Sequence, residues 1–577
     1  MCQLEGHNSR NCPAREPLYE QAAIRQVRPR VEIPIGRGAL TVNEIADEVD
    51  PGGDNGSVAS IATFRDDLGD NEDLNFTLPT EWNVSAVDLV PVGFAVPFDI
   101  PVGGIGANLV ALAPVDAPDI LGHFELFWTD AIMDQFVKAT NSFANLRRIR
   151  KWKDVNRAEF KAFIGIVIYL GYNTYPSRRD AWNTGPTGSN FIRQVMSLHR
   201  FNSILRSWHY EDYGDYPDPV QLAALKAGDP FWAVQSFCGA LSSRFKELWT
   251  PSQRFDIDEQ CIPWKGRHKC RCYNPSKPEK WHFKVQSINC SITGYQIDFY
   301  LYAGKAEQRP PQVSATAYPA YRLLLDPRLH NRGHILFTDN WFTSFEQLHI
   351  CVLRGIEMVG TVRSNRSGIP AAPVKVRGQP KPVRGEYTVK ETIFEGKETF
   401  FTTWHDNKPV NLLHTVPTFR GICNRQVKEV NGWFRREYGR PTIVCDYNEG
   451  MGGTDAGDQR MECYRPHLKT ISWIPRIFSH FLNATVVDCF ILCKHSNNAS
   501  LPSKHLLFRS LLVDNLVKEH LESKVLETGP RPLISMSKKN GNHKYPVELE
   551  PIFQAKYSFL KIKGKKVTLG MLLVAQT

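Results

Sequence analysis

The 577-residue chain has no apolar run approaching the roughly 18 uninterrupted residues that a membrane span requires. The most apolar candidate, Phe481 to Cys493, is interrupted by Asn483 and Asp488, so no membrane partner is expected. The opening residues, MCQLEGHNSRNCP, lack the apolar segment of a secretory signal. The 13 cysteines are scattered, which reads as mainly reduced thiols. No cysteine follows Cys493, so nothing after it can build a thiolate zinc module. Gly104-Ile105-Gly106 lacks the third glycine and the flanking strand of a dinucleotide fingerprint, which excludes that reading. Between 41 and 73 bases are almost missing: ten acidic residues face Arg65 alone, a composition that predicts disorder.

What is present begins with charge and length. A formal net charge of +10 agrees with a polyanionic partner without establishing one. A chain this long implies several domains, because single cores stop growing at about 250 to 300 residues. Three acidic positions then stand out: Asp258 in FDIDEQ, Asp339 in HILFTDNWFTS, and Asp455 with Asp458 in GGTDAGDQ. Asp339 lies 81 positions after Asp258 (339 minus 258), and Asp455 lies 116 after Asp339 (455 minus 339), so only folding can gather them. Such oxygen-only donors favour Mg²⁺ or Mn²⁺ over zinc. The run from His334 to Thr338 reads as a short buried strand, placing Asp339 at its carboxyl end, where open α/β sheets form their sites. Phe255-Asp256-Ile257 is too short to read as a strand by itself, whereas 284 to 299 shows strand, turn, strand patterning around Thr293-Gly294. Taken singly, each Asp reads as well as a turn or capping acid.

Other features are more ambiguous. Cys2, His7 and Cys12 fit the latter part of a zinc knuckle with one ligand short, so the segment reads either as a truncated or decayed knuckle or as an unfolded tail. His268, Cys270 and Cys272 alternate, and on a strand would share a face, but a fourth ligand is not evident. From 121 to about 249 the pattern is mainly helical; Phe160 to Leu170 is apolar on nearly every face and implies a buried helix. Residues 355 to 440 are too long for a plain loop, and their short strand patterns predict a β-rich insertion whose bases include Arg363, Arg366, Lys375, Arg377, Lys381 and Arg384. The glycine pair before Asp455 allows close backbone approach, and Asp446 is a competing acid nearby.

The wording around the acids is specific. FDIDEQCIPWKGR with YNPSKPEKWHFK, then TDNWFTS, then DYNEGMGGTDAGDQ resemble, in order, the signature segments of piggyBac-type transposases and of the proteins derived from such elements. FELFWTDAIMDQFVKATN and SWIPRIFSHFLNATVVDCFILCKHSN are similar to that family's flanking helices, so the resemblance runs from about Leu121 to about Phe508. It implies an α/β fold with a ribonuclease-H-like catalytic core at 251–354 and 441–462, and a β-rich insertion at 355–440. A helical dimerisation and DNA-binding domain is then expected from 121–250 and 463–530. Outside these lie the knuckle-like segment 1–13, a largely disordered segment 14–120 and a basic tail 531–577. The resemblance makes Asp258, Asp339 and Asp455 the catalytic, Mg²⁺-binding (or Mn²⁺-binding) acids, with Asp458 beside the third, and puts Lys469, Trp473 and Arg476 in a DNA-contacting segment. It implies cleavage and strand transfer on double-stranded DNA at TTAA-type sites, in the nucleus, by a homodimer. The alternative is a catalytically silent descendant that binds DNA. The chain departs from many members in having no cysteine-rich module at its end.

Overall fold

Ten residues from Arg254 to Pro263 form one continuous strand, and the sheet is built outward from it. The computed structural model describes residues 74–84, 96–101, 105–108, 119–216, 218–370, 382–429, 432–466, 468–496 and 501–528. Cys2, His7 and Cys12, the acidic segment 41–73, Gly104, Lys375, Arg377, Lys381 and the tail 531–577 therefore lie outside the described residues. Residues 1–522 form one unit and 523–577 a second, of which only the end of a helix is described.

In chain order the strands are β1 (Asn83–Val84), β2 (Gly106–Ala107), β3 (Trp249–Thr250), β4 (Arg254–Pro263), β5 (Cys272–Tyr273), β6 (Trp281–Cys290) and β7 (Gln296–Leu301). They continue with β8 (Ile335–Thr338), β9 (Glu357–Thr361), β10 (Tyr387–Phe394), β11 (Lys397–His405), β12 (Pro409–His414), β13 (Ile422–Glu429) and β14 (Gly432–Gly439). The main sheet is ten-stranded and runs β1-β10-β11-β12-β9-β8-β4-β6-β5, with β7 also on β6. Its centre is mixed: β7, β6 and β4 are antiparallel neighbours, while β4, β8 and β9 run parallel. The sequence pattern missed β4 because its alternation is short, stopping at Asp258-Glu259; antiparallel pairing with β6 along Phe255 to Pro263 supplies what the side chains do not. The strand patterns expected in the insertion are present, but β10 to β12 extend the same sheet from the edge of β9.

Alternate side chains of the central strands feed two cores. Leu336, Met358 and Leu413 face the larger one, and Ile335, Phe337, Val359 and Leu412 face a smaller one with Ile443 and Val444 of the helix Thr442–Gly450. The larger core is continuous with a helical layer. Helix Asp130–Leu146 starts at Thr129, whose hydroxyl caps the Ile132 amide, and helix Arg157–Tyr172 starts at Asn156, which caps Glu159. Phe136, fully buried, is ringed by Trp128, Phe160, Trp208, Tyr210, Phe237 and Phe478 at centroid distances of 4.8 to 6.2 Å.

Phe478 belongs to helix Ile474–His495, which has the length and apolarity of a membrane span yet has 89% of its most apolar window buried within the protein. Asp488, the residue that interrupts its apolar run, accepts a hydrogen bond from the Gln296 amide of β7 at 3.1 Å, fastening this helix to the sheet. Burial, opposed only by that bond and by Arg460, holds the Asp488 carboxyl well above the usual carboxylate range. Phe136→Ala is expected to cost about 3 to 5 kcal/mol, through lost burial and the cavity left among the surrounding rings. The change is read from the urea midpoint at constant m.

Candidate active site

Three neighbouring parallel strands share one register, β8 and β9 stopping where β4 runs on to Pro263. Ile257 of β4 is in register with Thr338 of β8, and Thr338 with Gly360 of β9. The next residues along each strand are Asp258, Asp339 and Thr361, so two carboxylates and a hydroxyl-bearing residue occupy one row, at the carboxyl ends of β8 and β9 and midway along β4. Asp339 is held by its own turn: its Oδ1 accepts the Trp341 amide at 2.9 Å, and its carbonyl accepts from the Thr343 hydroxyl at 2.7 Å. Arg363 donates to Asn340 Oδ1 and Arg366 to the Trp341 carbonyl, which fastens the turn from outside. On β4, Asp258 Oδ1 accepts the Glu259 amide at 2.7 Å.

The third acid stands on the helix Gly453–Glu462, which Asp256 fastens to β4. Asp256 lies two residues before Asp258, hence on the same face of β4, and is fully buried. Its Oδ2 accepts the Thr454 amide at 2.9 Å, placing a carboxylate against the positive end of the helix. The Thr454 hydroxyl bonds Asn289 of β6 at 3.2 Å, and Arg460 bonds the Thr293 carbonyl in the β6–β7 turn. Asp455 is thereby exposed in the first helical turn, and Asp458 stands one turn later, half-buried, with an Oδ1 that has no hydrogen-bond partner.

The electrostatics report crowding of like charges. Burial lifts the Asp258 carboxyl well above its usual range, and the charge on Asp339 adds to it. Burial likewise raises Asp339, with Glu259 adding. Asp458 is pushed up to about 7 by burial and then by Asp455; Asp256 is pushed up to about 7 by burial against its bonds to Thr454, with Asp455 adding. Asp339 and Asp256 thus act on Asp258, while Asp455 acts on both Asp458 and Asp256. Among the described residues no three His, Cys, Asp or Glu side chains close into a ready metal cage. The donors facing this edge are oxygens, the kind that hard divalent cations take.

Several participants carry little sequence signal. Asp256 becomes visible only once β4 is known to be a strand. Glu259 is held between Lys277 at 3.2 Å and Lys284 at 3.3 Å. Tyr447 donates or accepts at 3.2 Å with Thr361, and its phenol is raised by burial and then by Asp339, Asp258 and Asp256. Asp446, the competing acid, pairs with Arg254 at 3.3 Å.

The remaining expected contacts separate. Lys469 is exposed, and its carbonyl accepts from Arg178. Trp473 is half-buried, packed on His268 at 4.8 Å and Phe231 at 5.8 Å, beside a cavity of about 300 Å³ that Lys226, Trp232 and Lys269 also line. Arg476 spends its guanidinium on the Pro263 and Leu468 carbonyls. His268 stacks on Phe231, Cys270 donates to the Ala303 carbonyl, and only Cys272 of that trio lies in a strand, so the three do not converge.

A family model described as Transposase IS4 matches residues 121–490. The chain belongs to that family, in its piggyBac-type branch. It is 25% identical over 403 residues to the human PiggyBac transposable element-derived protein 3, covering 69% of this chain and 64% of that protein. It is 23% identical over 379 residues to the human PiggyBac transposable element-derived protein 2, covering 64% and 61%. The chain thus spans less than two-thirds of the length of these curated relatives. A cryo-EM structure of a piggyBac transposase synaptic complex with hairpin DNA superposes with a TM-score of 0.61 at 25% identity, over 72% of this chain and 83% of that one.

In this piggyBac-type chain, Gly453 is where helix and sheet meet. An added Cβ would sit 2.2 Å from Asp256 Oδ1 and 2.7 Å from the Cys290 carbonyl, while at Gly452 it would meet nothing within 4 Å. Gly453→Ala is expected to lower stability by about 1 to 3 kcal/mol. Gly452→Ala should change it by under about 0.5 kcal/mol. Urea melts of the two variants check both.

Proposed function

We propose that the chain is a metal-dependent DNA transposase whose Asp258, Asp339, Asp455 and Asp458 hold Mg²⁺ or Mn²⁺ and carry out cleavage and strand transfer on duplex DNA at TTAA-type sites. The observation that carries this reading is the side-by-side placement of Asp258 on β4 and Asp339 just after β8, with the helix bearing Asp455 and Asp458 fastened to β4 through Asp256. The strand order β7-β6-β4-β8-β9, antiparallel and then parallel, supports a ribonuclease-H-like core. Membership of a transposase family and likeness to a transposase bound to DNA support the substrate. A nuclear location and a homodimer belong to the same reading through the family resemblance.

The donor set fits the ions. Like-charged, partly buried carboxylates repel one another unless a cation or proton stands among them, and the partnerless Asp458 Oδ1 is a donor without a use inside the fold. Bound there, a pair of divalent ions supplies Lewis acidity, activating a water or 3′-hydroxyl and steadying the leaving oxygen of an in-line displacement. The protein's own contribution is position. The Asp339 turn and the Asp256 bond to Thr454 set the two halves of the acid row before substrate arrives, so little reorganisation is left for the reacting state. Tyr447 and Thr361 close one side of the row. Arg363 and Arg366 lie along the Asp339 turn as cations beside the path of a phosphate backbone.

The relatives named as element-derived proteins favour one other reading, a silent descendant that binds DNA without cutting it. The two separate in one assay, in which a duplex carrying a TTAA-flanked element end is incubated with Mg²⁺ or Mn²⁺. The transposase reading expects cleavage that vanishes with chelator and falls at least about 100-fold in Asp339→Ala, the scale on which altered metal sites lose activity. Bound but uncut DNA would establish the silent reading, and metal-independent cutting would refute the role given to the acids.

A further inference from the structure

We infer that the two-stranded ribbon of β13 and β14 is a duplex-DNA contact that docks in a groove beside the active edge. This deepens the transposase reading, on which it rests. Among the described residues β13 and β14 pair only with each other, over the register from Ile422–Gly439 to Glu429–Gly432, and neither joins the main sheet. Their base is clamped. Trp404 donates to the Gly439 carbonyl at 2.8 Å, Arg425 pairs with Asp406 at 3.1 Å, and Arg384 lies over Tyr438 at 5.0 Å. Beyond the clamp the ribbon is exposed, with Trp433 66% and Phe434 45% accessible. Cys423 and Tyr438 anchor the base of the ribbon in the smaller core, and the exposed rings of Trp433 and Phe434 lie beyond that anchor.

Charge selects the partner. From Arg420 to Arg440 there are six bases (Arg420, Arg425, Lys428, Arg435, Arg436, Arg440) and two acids (Glu429, Glu437), a net of +4. The register places Lys428 opposite Trp433 and Gln426 opposite Arg435, so both cations and the tryptophan share one face, and Lys428, Arg435 and Gln426 are all exposed there. Neither Lys428 nor Arg435 makes an ion pair with another described residue. A two-stranded ribbon, with strands about 4.8 Å apart, is one of the two elements that the roughly 12 Å major groove admits. Chain continuity gives the location: Gly439 is followed at once by the helix Thr442–Gly450, which carries Tyr447, and then by the helix bearing Asp455.

The test is fluorescence anisotropy of the full chain with a labelled 30-base-pair duplex across a salt series. For wild type, log K against log salt should be linear and steep. The double variant Lys428→Gln, Arg435→Gln should lose about two units of that slope and bind roughly tenfold or more weakly, each neutralised phosphate contact being worth about 0.9 of slope. The charge-keeping pair Lys428→Arg, Arg435→Lys should retain the wild-type slope, which a loss through misfolding would not do. Wild-type slope and affinity in the Gln pair would overturn the ribbon contact while leaving the transposase reading intact. The same result with an altered mass in sedimentation would assign the ribbon to contact between copies, which also overturns it. Absence of salt-dependent duplex binding by the wild type would overturn the DNA reading itself.

Discussion

The bond from the Thr454 amide to Asp256, buried in the middle of the sheet, is what makes one site out of segments that are remote in sequence. A hydrogen bond to a charged acceptor contributes about 1.5 to 3 kcal/mol, and breaking it would leave both a buried donor and a buried carboxylate without partners. That asymmetry fixes the helix Gly453–Glu462 against β4 far more firmly than the small apolar surface of GTDAGDQRME could. Gly453 makes room for the bond, Asn289 holds the Thr454 hydroxyl, and the turn at Thr293 holds Arg460. Asp455 and Asp458 inherit their place from this contact.

The same region concentrates charge that folding alone would not select. Asp256, Asp258, Asp339 and Asp458 all have carboxyls raised by burial, and three of them are raised further by one another or by Asp455. A stability-optimised fold would place Val or Ile at Asp256 and Asp258 and would provide a partner for Asp458 Oδ1. The strain is tolerated because the scaffold around it is large: the aromatic cluster about Phe136, the buried helix Ile474–His495 and the two cores on either face of the sheet. Chemistry-bearing residues sit within β4 and at the end of β8, rigid elements, rather than on long loops, which is the condition for holding charged groups in place before a substrate binds.

How much of this could be read from the chain depended on how locally each feature is encoded. The strand before Asp339 was legible because Ile335, Leu336 and Phe337, followed by Thr338, lead up to the acid without a charge. The buried helix Arg157–Tyr172 was legible from its all-round apolarity. β4 was not, since its hydrogen bonds come from β6 and β8 while its own side chains alternate acid with apolar; Asp256 was hidden with it. Glu259, Lys277 and Tyr447 meet the site through pairings of distant segments, which no local pattern announces. The insertion was legible as strands, but not as an extension of the same sheet, because edge-to-edge pairing between β9 and β12 is set by register rather than by composition. Trp473 and Arg476 carried a basic, aromatic signature in sequence, and in the fold their rings and donors are largely spent on Phe231, His268 and backbone carbonyls.

The central claim is that Asp258, Asp339 and Asp455 share divalent ions. It is tested most directly by growing crystals of the full chain with Mn²⁺ and locating the metal by its anomalous scattering. Peaks bounded by Asp258 and Asp339 on one side and by Asp455 or Asp458 on the other are the expected result. Ordered carboxylates with no anomalous peak between the strand ends and the helix, at Mn²⁺ concentrations that support binding elsewhere, would contradict it.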